Sequence, residues 1–112
     1  MKKTTSKVPI NIDQTETESG IHLKMKGSFS GTEEAAITFF ERLSKAMEKK
    51  PKEIILDMAE TSMVDSMAIG LLVGLLIKSK ERGITVRIDN PNPTVKNILE
   101  MTGLKRAFPE LY

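Results

Sequence analysis

The sequence predicts an α/β domain in which a mixed β-sheet of about four to five strands carries helices packed on it. Three observations lead there. Residues 21–27, IHLKMKG, and 84–89, ITVRID, alternate apolar and polar side chains with the period of a half-buried strand. Residues 52–58, KEIILDM, form a short apolar run of the kind that a sheet buries on both faces. Between and after these runs, apolar positions return every three or four residues behind helix-capping residues. The element order read from these signals is β-β-α-β-α-β-α.

Taken in order, residues 1–7 read as a disordered basic tail ahead of a domain over 8–112. VPINI follows as a short strand with Val8, Ile10 and Ile12 on one face and Pro9 at a sheet edge. DQTETESG is polar and turn-like, and joins that strand to residues 21–27 as a hairpin. There Ile21, Leu23 and Met25 face inward, while His22, Lys24 and Lys26 face water. Thr32 is placed to cap the next helix, with Glu33 and Glu34 in its first turn. Ala36, Phe40, Leu43 and Met47 recur along its inner side, and Pro51 stops it. After the apolar strand, AETSMV reads as a linker into a second helix, which ends in KSKERG with Gly83 as its stop. The strand at 84–89 leads through NPNP to a third helix with Val95, Ile98, Leu99 and Met101 inward and Gly103 beyond its end. The terminal KRAFPELY ties Phe108 and Leu111 to the domain.

Composition excludes several function classes. The chain carries 17 Lys and Arg against 15 Asp and Glu, with one Tyr and no Trp, so neither a cationic footprint nor a stacking platform points to nucleic acid. Without cysteine there is no thiol nucleophile, disulfide or thiolate metal site. The basic N-terminus precedes no apolar stretch of signal-peptide length. The longest apolar run, Met67–Ile77, has eleven residues where a membrane span needs about 20. The expectation is a cytoplasmic protein without membrane insertion. Chemistry is equally sparse: His22 has no nucleophile at motif spacing, and no phosphate-binding loop or metal-ligand spacing occurs. Asp57, Asp65 and Asp89 fall at strand ends, where carboxylates ordinarily cap turns and helices. No catalytic residue, metal site, cofactor or enzymatic activity is expected.

The segment MVDSMAIGLLVGLLIKSK, residues 63–80, sets a polar pair, Asp65 and Ser66, directly before the apolar run. Apolar side chains surround this helix, so part of it is left exposed as an interaction face, equally compatible with a partner or a homodimer. Gly70 and Gly74 lie four apart, a spacing that lets the backbone approach the sheet closely. Ser66 has two readings. Its hydroxyl can cap the helix, or it can stand off the carboxyl edge of the sheet as a modifiable group, where a phosphate would meet a positive helix end.

With the strand ending in Asp57, the MVDS loop opening a Gly-containing apolar helix, and NPTVKNILEMTGL, the chain resembles the STAS domains of bacterial anti-sigma-factor antagonists over roughly residues 8–108. The resemblance implies a single STAS-like fold. It also implies a switch in which Ser66 is phosphorylated by a partner that is both serine kinase and anti-sigma factor, with Asp65 as its positioning neighbour. Unphosphorylated antagonist sequesters that partner, and a PP2C-type phosphatase restores it. The partner-binding set expected on this basis is Ser30, Gly31, Ser62, Met63, Asp65, Met67, Ala68 and Asn92. The chain departs from the family pattern at Met67 and Ala68, where a small residue and then Gly usually follow the serine, and at Ser30, where an Asp is frequent. The alternative within the same fold is a scaffold or accessory subunit, of stressosome or lipid-transport type, in which Ser66 is never phosphorylated.

Overall fold

The structure is a computed structural model and describes residues 11–29 and 33–112. The expected tail at 1–7, the strand positions Val8, Pro9 and Ile10, and Ser30, Gly31 and Thr32 lie outside the described residues, as do the side chains of Glu33, Glu34 and Ala36.

Strand β1, Asn11–Glu16, pairs antiparallel with β2, Gly20–Phe29. The strand therefore takes in Asp13–Glu16, which the sequence reading assigned to the connecting turn, and the turn itself shrinks to three residues. It is closed by Thr17 N–H donating to the Gly20 carbonyl at 2.8 Å and by the Gly20 N–H donating back at 3.3 Å. Helix α1, Glu33–Glu48, carries the chain to β3, Glu53–Asp57, which runs parallel to the first half of β2. Strand β4, Thr61–Val64, then extends the sheet parallel to the end of β2. Helix α2, Ser66–Glu81, returns the chain to β5, Thr85–Asp89, parallel to β3. Helix α3, Pro93–Met101, and the single turn α4, Leu104–Ala107, complete the fold. The sheet order is β1-β2-β3-β5, with β4 on β2, so the expected mixed sheet has five strands.

Register explains the core. Ile12 faces Met25, Ile21 faces Ile54 and Val86 lies beyond it, while Leu23, Leu56 and Ile88 form the next row. All eight are buried on the side that the helices cover. The opposite side carries His22, Lys24, Lys26, Asp57 and Arg87, none of them fully buried. Ion pairs lace this side, such as Lys24 with Glu60 at 3.2 Å and Arg87 with Glu53 at 3.3 Å. Here β3 departs from expectation: it alternates, with Ile54 and Leu56 buried and Ile55 only half-buried, because helices cover one face of the sheet instead of two. His22 sits on the wet face as expected, with Nε2 3.8 Å from Asp57 Oδ2.

The helical phase also needs correction in two places. Phe39, not Phe40, enters the core, where its ring lies tilted on Phe29 with centroids 4.5 Å apart, and Phe40 is 46% exposed. On α3, Val95 and Leu99 are buried, but Met101 is 79% exposed. The C-terminus meets its expectation. Leu111 is buried, and its carbonyl accepts a hydrogen bond from Ile88 N–H at 2.6 Å, so the end of the chain covers the free edge of β5.

Candidate functional site

The carboxyl ends of the parallel strands and the N-termini of α2 and α3 meet at one edge of the sheet, the position where open α/β sheets build binding sites. Strand β4 is the organiser. It is only four residues long, with Thr61 and Val64 buried and Ser62 and Met63 exposed between them. Thr61 is pinned: its hydroxyl donates to the Met25 carbonyl at 2.8 Å in the interior, and its N–H donates to the Met58 carbonyl at 3.1 Å. Asn92 ties the second helix to the same strand. Its side-chain oxygen caps α3 by accepting from Val95 N–H at 2.9 Å, while its amide donates to the Thr61 carbonyl. An Asn directly before the Pro at the first helical position is a readable cap signature.

The cap of α2 is Asp65, where the sequence reading put Ser66. Asp65 holds extended backbone, and its Oδ1 accepts from Ala68 N–H at 2.9 Å, while its carbonyl accepts from Ile69 N–H at 3.0 Å. Its own N–H reaches the Phe29 carbonyl at 3.4 Å, which anchors the loop to the end of β2. Aspartate succeeds here because its short carboxylate reaches the third residue of the helix and complements the positive helix end. Ser66, one position on, is thereby released from capping. It is the first residue of α2, exposed, and free of hydrogen-bond partners among the described residues.

The surroundings of this hydroxyl are apolar and open. Met63 is 54% exposed and Met67 67%, one on either side of the Asp65–Ser66 pair. Of the residues expected to face a partner, Ser62, Met63, Ser66 and Met67 are exposed together, and Asp65 and Asn92 are half-buried in supporting roles. Ala68 leaves the set, because its side chain is fully buried under the helix. Ser30 and Gly31 lie outside the described residues.

Helix α2 holds a second departure. Gly70 and Gly74 do not approach the sheet: both face outward, and a Cβ added to either would meet nothing within 4 Å among the described residues. The buried side of the helix is Ala68, Ile69, Leu72, Leu75, Leu76 and Ser79. Ser79 is accommodated there by donating to the Leu75 carbonyl at 2.8 Å. Outside, the glycines floor an apolar groove of about 440 Å³ between α2 and Phe40 of α1. The sequence held the signal for this groove in two glycines at one helical face, but not the side it would open to. Asp57 and Asp89, neighbours across β3 and β5, are occupied locally: Asp57 Oδ1 accepts from Ala59 N–H at 3.0 Å, and Asp89 lies 3.7 Å from Arg87. Among the described residues no cluster of carboxylates and histidines is placed to hold a metal ion. No helix among them is long and apolar enough to cross a membrane.

Comparison with known proteins agrees with this geometry. A family model described as "STAS domain" matches residues 13–112. The unphosphorylated form of the anti-sigma factor antagonist SpoIIAA superposes with a TM-score of 0.74 at 19% identity, covering 91% of this chain and 86% of that one. An anti-sigma factor antagonist from Mycobacterium paratuberculosis gives 0.75 at 19% identity, covering 92% and 85%. The phosphorylated form of SpoIIAA from Bacillus, described as a cell fate determinant, gives 0.67 at 19% identity, covering 92% and 88%.

Proposed function

The chain belongs to the STAS domain family, and we propose that it acts there as an anti-sigma-factor antagonist, a cytoplasmic protein-binding switch worked through Ser66. The observation that carries this reading is the division of labour between Asp65 and Ser66. Asp65 takes the cap, so the neighbouring hydroxyl is exposed, unpartnered among the described residues and flanked by exposed Met63 and Met67. In its unmodified state the polar hydroxyl is small enough to be covered by a partner that settles on the two methionines. The partner is a serine kinase that is also an anti-sigma factor, and a PP2C-type phosphatase reverses its action.

Phosphorylation adds about −1.5 to −2 charges at one oxygen. Within the chain that charge is tolerated, because it stands at the positive end of the helix. Against a partner it is not tolerated: the charge must be stripped of water beside apolar side chains and the Asp65 carboxylate. A loss of about 4 kcal/mol lowers affinity roughly a thousandfold. No movement of the domain is needed, since the change is local.

The test uses the serine kinase/anti-sigma protein encoded in the source genome. Incubated with it and Mg-ATP, the chain gains one phosphate, mapped by mass spectrometry to Ser66. Calorimetry then finds tight binding for wild type and Ser66→Ala and at least a hundredfold weaker binding for Ser66→Asp. Binding of Ser66→Asp as tight as wild type overturns the exclusion mechanism. Absence of phosphate from Ser66 in native cells under all growth conditions turns the reading to a constitutive scaffold of the same fold.

A further inference from the structure

We propose that two copies of this chain pair through the outer face of α2, antiparallel about a two-fold axis level with Leu72. The groove there is lined by Phe40, Met67, Gly70, Leu71, Gly74 and Lys78, and it lies open on the monomer. Glycine is the poorest helix former after proline, and the chain places two in the middle of α2 although nothing among the described residues within 4 Å of either requires a missing side chain. Their use lies outside the monomer: without side chains, a second helix axis can come closer than the 8–10 Å of ordinary helix packing.

The occupant follows from self-complementarity. Ser66, Gly70, Gly74 and Lys78 form one row at intervals of four, and rows of this kind interdigitate when two helices cross at about 50°. With the two-fold axis level with Leu72, every pairing is met by one register. Gly70 faces the second copy's Gly74. Met67 faces its Ile77, and both are at least half exposed in the single chain. Ser66, beside the Asp65 carboxylate, faces its Lys78, whose ammonium in the single chain lies 5.8 Å from the centroid of the Phe40 ring. The Asp65 cap at the start of α2 thus comes beside the second copy's Lys78, twice by symmetry. Glu81, also in the last turn, falls beyond the second copy's cap, near Met63. A partner of other sequence would fit the apolar floor but has no reason to return the same charges in reverse order.

This pairing does not rest on the kinase reading, but it uses the same end of α2, so a chain paired in this way cannot also present Ser66 to a partner. A phosphate on Ser66 would face the second copy's Lys78, so the modification that repels one partner favours the other.

Sedimentation equilibrium of the full chain, from micromolar to millimolar concentration, tests the proposal without any kinase. The expected mass rises with concentration to twice the 12.5 kDa of one chain. Gly74→Glu stays monomeric throughout, with a melting temperature at or above wild type because the space around Gly74 is open. Lys78→Glu raises the dissociation constant about tenfold or more, a change of at least about 1.4 kcal/mol, and the reversed pair Ser66→Lys with Lys78→Glu recovers most of it. The proposal is overturned by a wild-type chain that stays monomeric over the whole range, by a dimer that survives Gly74→Glu, or by a reversed pair no tighter than Lys78→Glu alone.

Discussion

Replacing Asp65 by Ala should destabilise the domain, whereas replacing Ser66 by Ala should not. The Asp65 carboxylate supplies one hydrogen bond to an otherwise unpaired helical N–H, at 2.9 Å and partly buried. Loss of such a cap costs about 1 kcal/mol. The negative charge at the helix start adds about 0.5 kcal/mol at a half-buried position. Asp65→Ala therefore costs about 1.5 kcal/mol, which for a domain of this size lowers the melting temperature by about 6 °C. Asp65→Asn keeps the acceptor for the Ala68 N–H and loses the charge, about 0.5 kcal/mol or 2 °C at this cap. Ser66→Ala removes an exposed hydroxyl that holds nothing among the described residues, and stays within about 0.5 kcal/mol of wild type. Thermal unfolding followed by circular dichroism, with urea titrations to check that the m-value is unchanged, separates the three variants. If Ser66→Ala proves the most damaging, or if Asn is as harmful as Ala at position 65, then Asp65 is not the cap. The freedom of the Ser66 hydroxyl, on which the switch depends, is then lost as well.

Three further outcomes are expected. Gly20→Ala sets a Cβ 2.0 Å from the Glu53 carbonyl oxygen, inside the parallel β2–β3 pairing, so it should cost about 3 kcal/mol or more and show as a sharply lowered urea midpoint. Thr61→Val removes the buried hydroxyl and its hydrogen bond to the Met25 carbonyl, at about 1.5 kcal/mol in the same measurement. The Lys49 ammonium, hydrogen-bonded to Glu16, holds the Glu16 carboxyl below its ordinary 4.5. Because the folded value is the lower one, the pair contributes stability above pH 4.5 and loses it as pH falls through the folded value. Lys49→Ala should therefore melt slightly below wild type at pH 7, and the two curves should converge in acid.

The strands with strict alternation, 21–27 and 84–89, were legible because one side chain in two had to enter the core, and the rows Ile21–Ile54–Val86 and Leu23–Leu56–Ile88 bear this out. Strand β4 was not legible. Its four residues read buried, exposed, exposed, buried, which is no period at all, and it is held by the Thr61 hydroxyl and by pairing with a kinked end of β2. Helix α1 was found but mis-phased, for a definable reason. Leu43 and Met47 fit a stripe through Phe40 as well as one through Phe39, since both three- and four-residue steps lie on one helical face. Only Phe29 across the core decides between the adjacent rings.

The same ambiguity, carried further, explains α2. A helix apolar on every side has no polar stripe from which to read its orientation, so the sequence leaves the outward face undetermined. In the fold that face is defined by what is missing from it. Leu72, Leu75 and Leu76 turn inward, and the row left outside runs from Ser66 through two glycines to Lys78, with Met67 and Ile77 exposed beside it. A surface stripe that is neither polar enough to be merely solvated nor covered within the chain calls for another molecule. Because the row that opens at Ser66 runs through both glycines, the exposed serine and the groove belong to one continuous surface. Whatever settles on α2 must therefore reckon with the charge state of that single oxygen.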